Sequence, residues 1–199
     1  PVSTPRSRAD DGALADPLPP DPVGVMVGET PGIGIETGRL LTGEGRGEMD
    51  LIFNFDVLDN PGKTRWSEYT YDLNYMKDFY TDYAKRIGSK DWIALFLDNH
   101  DNPKMLSKVA GGQERDPDVR SAVGKVLATI QLTMRGTPFL YQGQEIGAAN
   151  SALTSVDDLA DIESINRHAE LRALGRSEEA AWAEILAGAR DHARAPMRW

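Results

Sequence analysis

Carboxylates and their amides stand at the ends of four short apolar runs. Glu29 closes the run that begins at Val23, and Asp56 closes Met49–Phe55. Asp98, Asn99, His100 and Asp101 close and follow the Trp92–Leu97 run, and Gln142, Gly143, Gln144 and Glu145 follow Thr137–Tyr141. Carboxyl groups and an imidazole are common proton carriers in catalysis. Asp, Asn and Gly also collect at strand ends because turns need them, so each of these residues taken singly reads first as a turn residue. Four runs ending alike are harder to assign to turns. In a β/α barrel the C-terminal strand ends form the face on which active sites are built.

The elements that would position these residues follow from periodicity. Near-continuous apolarity over Val23–Glu29, Met49–Asp56, Trp92–Asp98 and Thr137–Tyr141 predicts strands covered on both faces, as in a parallel sheet. Between them, Leu73, Met76, Tyr80, Tyr83 and Ile87 recur at helical spacing and predict a helix over 69–87, with Gly88 as its C-terminal cap. Asp116-Pro117 reads as an N-cap and first-turn proline. Val119, Val123, Val126, Leu127, Ile130 and Met134 then form a stripe before Gly136. Ser155-Val156-Asp157-Asp158 resembles a capping box that opens a helix striped by Leu159, Ile162, Ile165 and Ala169. Ser177 opens another that buries Trp182, Ile185 and Leu186. Strands alternating with helices make parallel β/α units, so the expected class is α/β. Residues 1–22, rich in Pro, Asp and Ala, read as an irregular N-terminal segment, and 23–199 as the folded part.

Composition narrows the partners. A net charge of -9 argues against binding a phosphate backbone, so no nucleic-acid partner is expected. With no cysteine there is no disulfide framework and no thiolate metal site. No apolar run approaches the roughly 20 residues that cross a bilayer. Pro1–Arg6 lacks the pattern of a signal peptide. The expectation is a cytoplasmic protein without a membrane partner, a metal or a cofactor. His168 and His192 read as solvated helix or loop histidines.

Longer motifs carry a resemblance. Val27-Gly28-Glu29-Thr30-Pro31-Gly32 resembles the strand-five motif of the α-amylase superfamily of glycoside hydrolases (family 13), in its oligo-1,6-glucosidase and α-glucosidase branch. Leu97-Asp98-Asn99-His100-Asp101-Asn102-Pro103 resembles the strand-seven motif, and the segment from Arg135 to Gly147 the strand-eight motif. Arg190-Asp191-His192-Ala193-Arg194-Ala195-Pro196-Met197-Arg198-Trp199 resembles a later stretch of the same branch. The resemblance implies a partial (β/α)8 TIM barrel, strands five to eight with their helices, over 23–199. It implies a retaining α-glucosidase acting on terminal α-linked glucose of a small oligosaccharide. Sugar-transferring or isomerising relatives of the sucrose isomerase or trehalose synthase type share the same carboxylates. A non-catalytic glycosidase-like fragment is the third reading.

By that resemblance Glu29 is the general acid/base. It would protonate the departing glycosidic oxygen and then deprotonate the water that resolves the covalent intermediate. Asp101 would bind sugar hydroxyls in the distorted ring, and His100 would donate to a hydroxyl of the same sugar. Arg194 would reach that sugar or form a structural salt bridge. Asp98, Asn99, Gln142 and Glu145 would shape loops. The expected geometry has the side chains of Glu29 and Asp101 converging over one rim, with Glu29 partly buried beside a carboxylate.

Two departures stand out. The family's nucleophile ends strand four in an Arg-x-Asp motif, and no such motif lies on a strand before Glu29. Arg8-Ala9-Asp10 has the spacing but no apolar strand ahead of it. The chain is therefore expected to be a fragment, inactive alone and inclined to self-associate through open barrel edges. Lys104 also stands where the branch has arginine, which keeps the charge and loses the bidentate fork.

Overall fold

A computed structural model of the protein describes residues 24–43, 47–87 and 91–197. The segment 1–22, Arg8-Ala9-Asp10, Gly88 and the final Arg198-Trp199 lie outside the described residues. Each of the four apolar runs holds a strand, shorter than the run itself. Strand β1 (Val27–Glu29) pairs in parallel with β2 (Leu51–Phe53), placing Glu29 opposite Phe53. Strand β3 (Ala94–Leu95) pairs in parallel with β4 (Thr137–Pro138).

The two pairs are separate sheets rather than one continuous ladder. What joins them is ring packing. Phe53, at the end of β2, sits with its ring centroid 4.9 Å from Phe96 and 4.7 Å from Phe139, both edge to face. Phe55 meets Phe96 in the same manner at 5.4 Å. Such pairs add about 0.5–1.5 kcal/mol beyond area burial, enough to hold strand ends together where backbone pairing is short.

Helices cover these sheets. Helix α1 (Gly34–Thr42) follows β1 and was hidden in the sequence by its glycines. It lies so close on β2 that a Cβ at Gly38 would come 2.6 Å from Ile52 Cδ1. Helix α2 (Leu73–Ile87) buries Met76, Phe79, Tyr80, Tyr83 and Ile87, a stripe at helical spacing. It begins at Leu73 and not at Tyr69, because the preceding backbone is committed elsewhere. Tyr71 N–H donates to Lys108 O at 2.8 Å, and Asp72 N–H to Asn60 Oδ1 at 2.8 Å. Tyr71 Oη–H also donates to Val57 O at 2.6 Å.

Helix α3 (Met105–Ala110) ends at Gly111, and α4 (Pro117–Thr133) starts where the proline predicts. The Asp116 carboxylate accepts from Asp118 N–H at 2.8 Å and Val119 N–H at 3.4 Å. The apolar stripe of α4 is only partly inward: Val126 is exposed, and the most buried position is Gln131, at 2% exposure. Gln131 Nε2 donates to Leu95 O at 2.9 Å and to Phe139 O at 2.7 Å, and its Oε1 accepts from Gln144. A buried amide thus braces the ends of β3 and β4. It adds a second donor to Leu95 O, which already accepts from Phe139 N–H at 2.8 Å, and supplies one to Phe139 O.

The region after β4 departs from the expected helix. Asp158 accepts from Thr154 N–H at 2.7 Å and Ser155 N–H at 3.1 Å, closing a single turn (Val156–Asp158), and Leu159 is extended. Helix α5 (Ile162–Ala173) starts afresh with Asp161 as its N-cap, accepting from Ser164 N–H at 3.1 Å. Helix α6 (Glu178–Gly188) starts at Ser177 as expected. Leu159, Ile185 and Ala189 form a second small core with Trp66, Ile165 and Trp182 against it.

His192 is a correction to the sequence reading: it is buried at 4% exposure, not solvated. Its Nε2–H donates to Leu186 O at 2.9 Å, which fixes the neutral tautomer because a carbonyl can only accept. Nδ1 is buried without a hydrogen-bond partner. Burial pulls the imidazole pKa down from its ordinary value, with the Leu186 carbonyl opposing. His168 is likewise not free in solvent; it lies 3.0 Å from Glu178 and edge-on to Trp182.

Two outcomes are expected. Gln131→Leu removes the side-chain donor to Phe139 O and the second donor to Leu95 O, strands Gln144, and should lower stability by about 1–3 kcal/mol in urea unfolding, with an unchanged m-value. Because the folded pKa of His192 is depressed, its neutral form contributes stability above about pH 6.5, and that contribution is lost as pH falls through the folded value. Melting temperatures measured from pH 8 down to pH 5 should therefore drop more steeply in the natural chain than in His192→Gln.

Candidate active site

The strand ends open into a cleft of about 220 Å³. The rings of Phe53, Phe55, Phe96 and Phe139 form its apolar lining, and Glu29, Asn99 and His100 contribute its polar groups. A larger groove, about 730 Å³, runs along α4 beside Leu106 and Leu127, but it holds neither Glu29 nor His100, which both line the smaller cleft; Asp101 and Arg194 line neither. An apolar cavity with a few polar groups at strand ends is the form small-molecule sites take, so the smaller cleft is the candidate.

Glu29 ends β1, whose one neighbour is β2, and its side chain is exposed. This corrects the expectation of partial burial beside another carboxylate: an edge position leaves it open. Among the described residues its carboxylate has no hydrogen-bond or ion-pair partner.

The loop after β3 is built around Asp98. That carboxylate is buried; Oδ1 accepts from Met105 N–H at 2.7 Å and Oδ2 lies 3.9 Å from Lys104 Nζ. Burial pushes the Asp98 carboxyl above the usual carboxylate range, against the pull of Met105 N–H and Lys104. Burial likewise pushes the Lys104 ammonium down, opposed by Asp98 and Glu145. Lys104 Nζ donates to Gln142 O at 2.9 Å and stands 4.5 Å over the Tyr141 ring. The lysine that replaces the branch's arginine therefore staples the loop after β3 to the segment after β4. Asn99 Oδ1 accepts from Asp101 N–H and from Asn102 Nδ2, both at 3.0 Å, which turns the chain so that His100 projects outward.

Asp101 sits among guanidinium groups. Arg194 Nη2 donates to its Oδ1 at 2.9 Å, and Arg190 Nε lies 3.1 Å from the same oxygen. The other oxygen, Oδ2, is 3.4 Å from His100 Nε2. Arg194 Nε also donates to His100 O at 2.9 Å, and Arg65 Nη1 to Asp101 O at 3.3 Å. The structure thus brings His100, Asp101 and Arg194 into contact and places Glu29 on the same cleft as His100. Arg194, as it stands, is turned onto the loop in a salt bridge.

Sequence reasoning passed over the groups behind this contact. Arg190 Nη1 lies 2.6 Å from Glu163 and 3.6 Å from Asp161, and Arg65 Nη2 lies 2.6 Å from Glu163. Two arginines four positions apart in a short irregular segment were the available signal. The phenyl lining was also missed, since each ring read as ordinary strand core.

Among the described residues no cluster of three or more His, Asp or Glu could hold a metal, and no helix is long and apolar enough to cross a membrane. Comparison with known proteins completes the picture. Residues 20–199 match the alpha-amylase catalytic domain family. An oligo-1,6-glucosidase of Halalkalibacterium halodurans is 38% identical over 177 residues, which is 88% of this chain and 31% of that enzyme. A trehalose-6-phosphate hydrolase of Escherichia coli is 35% identical over 181 residues, 89% of this chain and 32% of the enzyme. Among solved structures, an isomaltulose synthase of Erwinia rhapontici in complex with D-glucose superposes with a TM-score of 0.76 at 31% identity, covering 88% of this chain and 31% of that one. The chain spans about a third of the length of these relatives. On its motifs, its fold and a match that runs from residue 20 to the last residue, this chain belongs to the alpha-amylase catalytic domain family of glycoside hydrolases, family 13.

Proposed function

We propose that this chain supplies strands five to eight of a retaining α-glucosidase barrel, with residues 23–199 as the C-terminal half of that catalytic domain. Its substrate is a short oligosaccharide ending in α-linked glucose. The observation that carries the reading is the position of Glu29: a carboxyl without partners among the described residues, at a strand end, on a phenyl-lined cleft shared with His100. Glu29 is assigned as acid/base, first giving its proton to the leaving oxygen and then taking one from the attacking water. Asp101 and His100 hold hydroxyls of the sugar at the cleavage point, with Arg194 beside them.

Neither remaining carboxylate of the loop fits the second chemical role. Asp98 is buried and accepts from Met105 N–H, and Asp101 is held by two guanidiniums. A retaining mechanism needs a nucleophile about 5 Å from the acid/base. In this reading it is the strand-four aspartate of the family, whose motif is on none of the strands among the described residues. Hydrolysis is placed ahead of sugar transfer because the relatives matched by sequence carry hydrolase names, the oligo-1,6-glucosidase at 38% identity and the trehalose-6-phosphate hydrolase at 35%.

The chain alone should give no turnover of an aryl α-glucoside; measurable release of the phenol would remove the need for an outside nucleophile and with it this reading. Placed in the Halalkalibacterium oligo-1,6-glucosidase in exchange for the matching segment, the chain should support hydrolysis. Glu29→Gln in that enzyme should then lose roughly 10²–10⁴-fold in kcat on an unactivated disaccharide. Full activity in that variant would show that another group moves the proton.

A further inference from the structure

Asp101 can serve a sugar only if one of its oxygens is aimed and the other is held. The structure supplies the hold at Oδ1, which accepts from Arg194 Nη2 at 2.9 Å and is ion-paired with Arg190, whose Nε lies 3.1 Å away without a hydrogen bond, and leaves Oδ2 beside His100. The two arginines differ in what stands behind them. Arg194 is the more exposed, and its other contacts are the His100 carbonyl and a distant 3.7 Å approach to Asp161. Arg190 is more enclosed and is anchored at its far end by Glu163 at 2.6 Å and Asp161 at 3.6 Å. Asp161 is itself fixed. It is buried at 4% exposure and accepts from Ser164 N–H at 3.1 Å and Ser164 Oγ–H at 2.8 Å, as the N-cap of α5.

We infer that Arg190 is a positioning residue, which transmits the fixed N-terminus of α5 to the Asp101 carboxylate through a Glu163–Arg190–Asp101 line. The inference rests on the assignment of Asp101 as a sugar-binding carboxylate. Arg190 does not line the cleft, and neither does Asp101; the link from Asp101 to it is His100, which lines the cleft and lies 3.4 Å from Asp101 Oδ2. A rigid guanidinium suits the task, since its planar fork can face carboxylates on two sides at once, which an ammonium on a flexible stem does less well. Arg65 supports the same line from behind, pairing with Glu163 and donating to Asp101 O. A misplacement of about 1 Å at a group that meets the transition state can cost on the order of 100-fold in rate.

The test uses the segment-exchanged enzyme described above, with stability measured in parallel. Arg190→Ala should lower kcat by roughly 10- to 100-fold with KM changed less than about 3-fold, since the aim of Asp101 matters most in the distorted ring. Added guanidinium ion should restore part of that kcat, a response that a purely structural arginine would not give. Arg190→Lys should fall between. Glu163→Gln, which touches neither substrate nor Asp101, should reproduce a smaller loss in kcat at an unchanged melting temperature. If Arg190→Ala does not fold, the lysine and Glu163 variants carry the test on the same two readouts. Retained kcat in Arg190→Ala, or a loss that guanidinium does not relieve and that follows the melting temperature, would overturn the positioning role. The Glu29→Gln result separates the two layers. If that variant is inactive while Arg190→Ala keeps its rate, the glucosidase reading stands and the positioning line falls.

Discussion

The contact on which this architecture turns is the meeting of Phe53 with Phe96 and Phe139. The strands are two or three residues long, the two sheets share no backbone ladder, and the ends of β2, β3 and β4 are held at a common level by three rings. Everything polar that could act on a substrate projects from just beyond those rings. Glu29 stands opposite Phe53, Asp98 to Asp101 follow Phe96, and Tyr141 follows Phe139. The same packing therefore joins the sheets and lines the cleft. Shrinking one ring would loosen the fold and widen the cleft together.

Polar braces then fix what the rings leave adjustable. Gln131 ties β3 to β4 from the helix side, and Lys104 ties the loop after β3 to the Gln142 carbonyl. Both are buried polar groups, and both are satisfied by backbone carbonyls, which is the condition under which such groups stabilise rather than cost. The arginines at 65, 190 and 194 form a third brace. They face the carboxylates of Asp101, Asp161 and Glu163 and fasten the α5–α6 pair to the loop carrying His100.

Much of this was legible in the sequence, and the failures have physical causes. The strand runs and the α4 start were readable because apolar continuity and an Asp-Pro cap are local signals. Helix α1 was not, since Gly34 and Gly38 lower helix propensity; Gly34 takes a φ of 69°, and the reason for Gly38, close approach to Ile52, is tertiary. The start of α2 shifted because the backbone at Tyr71 and Asp72 bonds to Lys108 and Asn60, distant in sequence. Glu29, His100, Asp101 and Arg194 could be named from motifs. Asp161 and Glu163 could not, because an ion-pair line between separate elements has no spacing to read, and for Arg190 the one local signal was its place four residues before Arg194. His192 was misjudged for a similar reason: nothing about its neighbours announces a ring enclosed below Leu186.

The division into two sheets also bears on how the chain assembles. Val27 pairs with Leu51 across one intervening helix and Ala94 with Thr137 across two, so each sheet is closed within its own stretch of chain. The Phe53–Phe96 and Phe53–Phe139 contacts require both stretches to be in place. Closing long loops before any contact offsets the lost entropy slows folding. The ring cluster thus exists only where both stretches meet, and the cleft with it.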